Sequence, residues 1–196
     1  SGIVSGKSIL DLTGGFGVDS YYFSKSFQKV IHCEITKSLS EIAAHNFKQL
    51  AILNIETISE NGLEYLKKST EIFDVIYIDP SRRNDVKEKV FLLKDCEPNI
   101  PENIDLLFKK TKSILLKNSP ILDITSAINE LKFVKEIHVV AINNDVKELL
   151  YILEKGYCKE ILIKTINFTK NNAQKFHFNY HKKPVSSYHE PLEYLY

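Results

Sequence analysis

Short continuous apolar runs and helically spaced apolar residues alternate along the first half of the chain. The continuous runs, which are typical of buried strands, lie at 8–12, 30–34, 55–58 and 73–79. Apolar residues spaced three and four apart predict helices over 18–27 and 38–50, and a short helix through Leu63 and Leu66. Because helices alternate with strands, the pattern predicts βαβ units around a parallel sheet.

The second half continues the alternation less regularly, and the stretch 90–99 fits no element. Further strands are predicted at 114–117, 134–142 and 161–168, and helices at 104–112 and 121–131. Asn144 or Asp145 is a suitable N-cap, so the leucines that follow predict another helix, and 175–180 predicts an edge hairpin. The expected fold is therefore a doubly wound, mostly parallel seven-stranded α/β sheet with an extra C-terminal edge strand.

A glycine-rich turn follows the first strand. The stretch 9–19 reads I-L-D-L-T-G-G-F-G-V-D, which places Gly14, Gly15 and Gly17 between a strand and a helix. Glycines let backbone approach a ligand closely, and the amides of a helix N-terminus point at whatever lies above the turn. A dinucleotide fingerprint would need a third glycine, which is absent. The stretch therefore predicts a nucleotide-type cradle, with an ordinary turn as the alternative.

Polar residues also end the second and third strands, where ligands bind in such folds. Glu34, followed by Ile35, lies 23 positions after Asp11, and its carboxylate can accept hydrogen bonds from both hydroxyls of a ribose. A solvated carboxylate is the alternative. Asn61-Gly62 follows the third strand, where an amide could both accept and donate hydrogen bonds to a ligand, but the pair is also a common turn dipeptide.

The fourth strand ends in a second distinctive motif, Asp79-Pro80-Ser81-Arg82-Arg83. Proline stops the strand and holds the preceding residue extended, which directs the loop across the carboxyl edge of the sheet. The two arginines are the only ones among 26 basic residues. They either pair with a carboxylate such as Asp85 or Asp95, or present a planar fork of donors to a ligand at the mouth of the pocket.

These two motifs resemble those of the class I S-adenosylmethionine (SAM)-dependent methyltransferases. The first, D-x-T-x-G-x-G, is formed by Asp11, Thr13, Gly15 and Gly17, and the second resembles the D-P-P-x motif of nucleic-acid methyltransferases without its aromatic residue. The pair is most similar to a bacterial group of THUMP-like RNA methyltransferases.

This resemblance implies a cofactor and a set of site residues. It implies SAM binding by Asp11, Thr13, Gly14, Gly15, Gly17, Glu34, Ile35, Asn61, Gly62 and Asp79. It implies that the acceptor is handled by Asp79, Pro80, Ser81, Arg82 and Arg83. It also implies a catalytic domain over 1–183, and a truncated linker over 184–196 toward a missing C-terminal THUMP-like domain.

Composition limits the remaining functions. The 196 residues are 43% hydrophobic with a net charge of +1, which gives no whole-molecule case for nucleic acid binding. No apolar run is long enough to span a membrane, and three scattered cysteines favour a reducing cytoplasm. The absence of methionine suggests that the chain starts inside a longer gene product. No metal site is expected, and the sequence leaves the oligomeric state open.

The leading hypothesis is methyl transfer from SAM to a base in RNA. A SAM-binding module without catalysis, and a methyltransferase for a small molecule or a protein, remain alternatives. Cys96 near the active edge raises the option of covalent pyrimidine chemistry, although no Pro-Cys or Thr-Cys motif accompanies it. A nicotinamide enzyme is the weakest alternative, because nothing in the sequence resembles a hydride-transfer site.

Overall fold

The computed structural model describes residues 2–82 and 92–182, and of Arg82 it describes the backbone alone. The strands are β1 (Ser8–Asp11), β2 (Lys29–Cys33), β3 (Ile55–Ile58), β4 (Phe73–Ile78), β5 (Ser81–Arg82), β6 (Cys96–Glu97), β7 (Thr111–Asn118), β8 (Val134–Ile142), β9 (Asp145–Glu154), β10 (Leu162–Phe168) and β11 (Ala173–Asn179). The helices are α1 (Val18–Ser24), α2 (Lys37–Gln49), α3 (Gly62–Lys68), α4 (Ile100–Lys110) and α5 (Ile124–Glu130). A 3₁₀ turn spans Leu93–Asp95.

Within the described residues, nine strands form one sheet in the order β11-β10-β8-β9-β7-β4-β1-β2-β3. Five neighbouring strands, β7, β4, β1, β2 and β3, pair in parallel, and so do β8 and β10. The pairings β7–β9, β8–β9 and β10–β11 are antiparallel. The mostly parallel α/β sheet is therefore confirmed, although the described residues place nine strands in it where the sequence predicted seven and an edge strand.

Alternating residues of the central strands are buried on opposite faces of the sheet. Ile9, Val75 and Leu115 belong to a cluster that packs against Phe23 of α1 and the nearby Phe27. Their neighbours along the strands, such as Leu10 and Ile76, belong to a larger cluster with α3, α4 and α5. Because both faces carry helices, the central strands read as continuous apolar runs, as expected for a buried parallel sheet.

The predicted helix over the leucines after Asp145 is wrong, because this stretch is strand β9. Asn143 and Asn144 both adopt positive φ angles, 49° and 64°, which is the backbone of a tight hairpin turn between β8 and β9. Leu149 and Leu153 pack in the large cluster, whereas Leu150 and Ile152 face the other side of the sheet. The closely spaced leucines therefore belong to a strand that is buried on both faces, and neither Asn144 nor Asp145 caps a helix.

The remaining boundaries shift by a few residues. Helix α1 ends at Ser24, three residues before its predicted end, yet Phe23 and Phe27 remain buried and in edge-to-face contact at 6.2 Å. The edge strand at the C-terminal end is confirmed as β11. The segment 84–89, which the sequence suggests is a loop, lies outside the described residues. None of the described helices combines the length and hydrophobicity needed to cross a lipid bilayer.

Candidate active site

The loops that follow β1, β2 and β4 meet at the carboxyl edge of the parallel half of the sheet. Backbone hydrogen bonds continue past the strand ends, from Leu12 N to the Tyr77 carbonyl at 3.0 Å and from Gly14 N to the Cys33 carbonyl at 2.8 Å. Glu34 N donates in the same way to the Ile58 carbonyl at 3.0 Å. This extended pairing holds the glycine turn and Glu34 side by side.

The glycine turn is packed closely against its supporting side chains. A Cβ atom on Gly14 would overlap the buried imidazole ring of His32 on β2, and one on Gly17 would overlap the ring of Phe47 on α2. Gly15 faces open space, but its φ of 54° lies in the region that favours glycine. Gly14 is therefore favoured by packing, Gly15 by its backbone angle, and Gly17 by both packing and its φ of 80°.

Asp11 anchors the turn from below. Its carboxylate accepts hydrogen bonds from Thr13 N at 3.0 Å and from the Ser20 hydroxyl at 2.7 Å, and the residue is 1% exposed. Burial raises the pKa of Asp11 to about 7, although the two hydrogen bonds favour the ionised form. Asp11 thus connects the end of β1 to the start of α1, and it does not line the cavity described below.

Glu34 connects the first two loops through its side chain. One carboxylate oxygen accepts from Gly15 N at 2.9 Å and the other from Thr36 N at 2.7 Å. An ionised carboxylate offers about four acceptor positions, so two remain for a ligand. The carboxylate therefore has capacity for a diol, in addition to holding the loops in place.

Asn61 is the N-cap of α3. Its side-chain oxygen accepts from Leu63 N at 2.9 Å and from Glu64 N at 3.2 Å. The capping role thus uses the oxygen, and the amide NH₂ remains as a donor. Gly62 follows because a Cβ there would overlap the backbone of Leu12.

A cavity of about 340 Å³ opens between these loops, within the range of small-molecule sites. It is lined by Leu12, Thr13, Glu34, Ile35, Thr36, Asn61, Gly62, Leu63, Asp79, Ser81, Glu97 and Pro98. Seven of the residues singled out from the sequence are in this set. Gly14, Gly15, Gly17 and the buried Pro80 are not lining residues, although the Gly15 amide donates to the lining residue Glu34.

The far wall of the cavity comes from the loop after β4. Asp79 N donates to the Thr13 hydroxyl at 2.8 Å, which ties this loop to the glycine turn. Ser81 pairs with Glu97, and the backbone of Arg82 pairs with that of Cys96, in a small antiparallel ribbon. Cys96 is fully buried and does not line the cavity. The Arg82 side chain and Arg83, both proposed from the sequence as acceptor-binding groups, lie outside the described residues.

A charged cluster lies beside this wall, on the face of the sheet that carries α1. The Lys117 ammonium lies 2.9 Å from the Asp79 carboxylate and 2.8 Å from that of Asp19. The Tyr77 hydroxyl donates to the same oxygen of Asp19 at 2.7 Å. Burial would lower the pKa of Lys117, but its hydrogen bonds to Asp19 and Asp79 outweigh burial and raise it. Burial also raises the pKa of Asp79, and Lys117 opposes that rise.

Sequence reasoning missed Lys117, Glu97 and Pro98. Lys117 lies near the carboxyl end of β7, and the rule that selected Glu34 and Asp79 would also have selected it. Glu97 and Pro98 belong to the stretch 90–99, which carries no periodic signal and reaches the cavity only because β6 pairs with β5. Within the described residues, no group of three or more His, Cys, Asp or Glu side chains is placed to hold a metal ion.

No protein-family model matches the chain. Over 91 residues it is 30% identical to an uncharacterized RNA methyltransferase of Mycoplasma mobile, a match that covers 45% of this chain and 25% of that protein. A methyltransferase candidate from Porphyromonas gingivalis W83 is 29% identical, with a TM-score of 0.75, and the match covers 89% of this chain and 44% of that one. The chain thus spans less than half the length of both relatives.

A more distant solved structure shares the fold alone. A methyltransferase candidate from Streptococcus mutans, in complex with SAH, is 11% identical with a TM-score of 0.50 over 76% of this chain and 90% of that one. In the P. gingivalis protein, at 29% identity, the likeness extends over nearly the whole of this chain. The nine-stranded sheet and its helices therefore have the Rossmann-like fold of methyltransferases.

Proposed function

We propose that the chain is the catalytic part of a SAM-dependent methyltransferase that acts on a base in RNA. The observation that carries the proposal is the cavity at the carboxyl edge, where Glu34, Asn61 and the glycine turn converge. The names of the M. mobile and P. gingivalis relatives support methyl transfer. The SAH held by the S. mutans protein supports SAM as the cofactor of this fold.

The lining residues fit a nucleoside with a charged tail. The two acceptor positions left on Glu34 suit the hydroxyls of a ribose, and the free amide NH₂ of Asn61 suits a ring nitrogen of adenine beside Ile35. Thr13 and Asp79 would border the methionine portion of the cofactor, which supplies an activated methyl group. The protein then needs mainly to orient and desolvate the acceptor.

RNA is the acceptor class that the relatives favour, because the M. mobile protein is named as an RNA methyltransferase. Asp79 and Ser81, in the loop after β4, line the cavity, and an acceptor would bind beside them. We further propose that 1–183 is a catalytic domain and that 184–196 leads to a THUMP-like RNA-binding domain. Comparing RNA methylation by this chain with that by the longer protein tests this division.

Calorimetry with SAM tests the cofactor site. Replacing Glu34 by alanine removes a charged acceptor, and such hydrogen bonds contribute about 1.5–3 kcal/mol. We expect SAM affinity to fall by roughly tenfold or more. Glu56, an exposed acid on the neighbouring strand β3, gives a matched control, and Glu56→Ala should leave the affinity unchanged. An unchanged dissociation constant in Glu34→Ala would exclude the ribose assignment.

Transfer of labelled methyl groups to bulk RNA tests the activity. Incorporation into RNA, located by nuclease digestion and nucleoside analysis, is the expected result. Incorporation only into protein or small molecules would favour the alternative acceptor classes. Tight SAM binding without any transfer would favour a binding module that lacks catalysis.

A further inference from the structure

We propose that Lys117 is a positioning residue that holds the Asp79 carboxylate toward the acceptor. This inference rests on the proposed function, since it concerns the acceptor wall of the same cavity. Lys117 itself does not line the cavity, whereas Asp79 does. The lysine would therefore act through Asp79 and have no direct contact with a ligand.

The geometry supports a bridging role. The Lys117 ammonium lies 2.9 Å from Asp79 and 2.8 Å from Asp19, and the lysine side chain is only 18% exposed. Its three N–H donors can serve both carboxylates at once, and such charge-assisted hydrogen bonds are strong and directional. Asp79 is the first residue beyond β4 and Asp19 lies in the first turn of α1, so one side chain joins three elements.

The lysine is needed because the surroundings of Asp79 are otherwise acidic. The titratable groups that face it are Asp19 on α1, Asp11 at the end of β1 and Tyr77 on β4. When the lysine is removed, each of the two carboxylates disfavours the ionised form of the other. Without Lys117, Asp79 would be held less firmly and would retain its proton to a higher pH.

An ionised Asp79 accepts hydrogen bonds and donates none. Its other oxygen, which has no partner within the described residues, can accept an N–H or O–H from an acceptor in the cavity. Its backbone amide is already bonded to Thr13, so the residue is fixed at both the backbone and the side chain. A group held in this way can orient an acceptor at low entropic cost.

Carbon-13 NMR of the Asp79 carboxyl group, assigned with Asp79→Asn, tests the ion pair without cofactor or RNA. In Lys117→Met we expect the pKa of Asp79 to rise by about one pH unit or more. In Asp19→Asn, where Lys117 pairs with the Asp79 carboxylate alone, we expect the pKa of Asp79 to fall. Because this variant keeps the lysine, it tests the ion pair even where Lys117→Met fails to fold. An Asp79 pKa that does not respond to either change overturns the proposal.

Kinetics then separates positioning from binding. For Lys117→Met we expect kcat for RNA methylation to fall about 10–100-fold, with a much smaller change in the SAM dissociation constant and partial recovery in Lys117→Arg. Lys135 provides the control. Its ammonium lies 2.5 Å from the Glu154 carboxylate, neither residue lines the cavity, and Lys135→Met should keep full activity. A loss of SAM affinity as large as the loss of kcat would mean that Lys117 supports the cofactor site, against the proposal. If the wild-type chain methylates no RNA, the proposed function fails, while the NMR titration still decides the role of Lys117.

Discussion

Two neighbouring glycines show how single residues control the turn after β1. Gly14 packs on the ring of His32, which is fully buried, so a side chain at this position would overlap the ring. Gly15 has open space around it but a φ of 54°, so alanine there would be strained by its own backbone. The same substitution thus disturbs the two positions for different physical reasons.

A double-mutant cycle with His32→Ala separates these two causes. We expect Gly14→Ala to destabilise the chain by about 1–3 kcal/mol, and by clearly less when His32 is already alanine. Gly15→Ala should cost about 1–2 kcal/mol in both backgrounds, because its strain does not involve His32. Urea unfolding of the six proteins measures this coupling. An equal cost for Gly14→Ala in both backgrounds would show that the ring does not limit the turn.

Residue-level predictions from the sequence were most informative where a polar side chain ends an apolar run. Glu34, Asn61 and Asp79 all line one cavity, as their positions at strand ends suggested. The hydrogen bonds that occupy them were not predictable, since Glu34 bonds to Gly15 across 19 residues and Asn61 uses its oxygen as a cap. Such partners depend on the packing of loops, which carries no periodic signal.

At the scale of elements, β9 is a strand that the sequence pattern did not predict. Strands with helices between them were predicted correctly because the continuous apolar runs of the strands and the helical spacing between them are distinct there. The β8–β9 hairpin was missed because Asn144 fits both a helix cap and a tight turn, and because the leucine run that follows suits either element. The positive φ angles of Asn143 and Asn144, a tertiary outcome, decide between the two.

Substitutions at Asn143 test this turn. Asparagine and glycine tolerate a φ of 49°, whereas a β-branched residue does not. We expect Asn143→Gly to be neutral within about 0.5 kcal/mol and Asn143→Val to destabilise the chain by about 1–2 kcal/mol. Thermal unfolding provides the measurement. Equal melting temperatures for the two variants would argue against a turn of this type.

At the scale of the whole molecule, the charge is nearly balanced, with 26 basic and 25 acidic residues. Several lysines of the described residues are already paired with carboxylates, including Lys29 with Glu71 and Lys164 with Glu136. Affinity for RNA depends on lysines and arginines that are free to replace the counterions of phosphates. The electrostatic attraction of this chain for RNA is therefore expected to be modest.

Salt dependence measures this surface directly. We expect single-stranded RNA to bind weakly, with log K falling against log salt at a slope of about −3 or shallower, equivalent to about four phosphates. Filter binding between low and moderate salt gives the slope. A much steeper slope would reveal a concentrated basic site and would remove the argument for a separate RNA-binding domain.

The buried carboxyl of Asp11 makes the stability of the fold depend on pH in an unusual direction. Its pKa of about 7 in the folded chain lies above the 3.8 of an exposed aspartate. Between these values the unfolded chain releases a proton that the folded chain keeps, so raising the pH from about 4 to about 7 favours unfolding. The accumulated loss is on the order of 4 kcal/mol, and above pH 7 it stays constant. Asp11→Asn removes this titration, so the stability of the wild type relative to Asp11→Asn should decline across that window, as denaturant unfolding at a series of pH values would measure. Near neutral pH, ionisation of Asp11 at the end of β1 therefore lowers the free energy of unfolding, and a weakly acidic medium restores it.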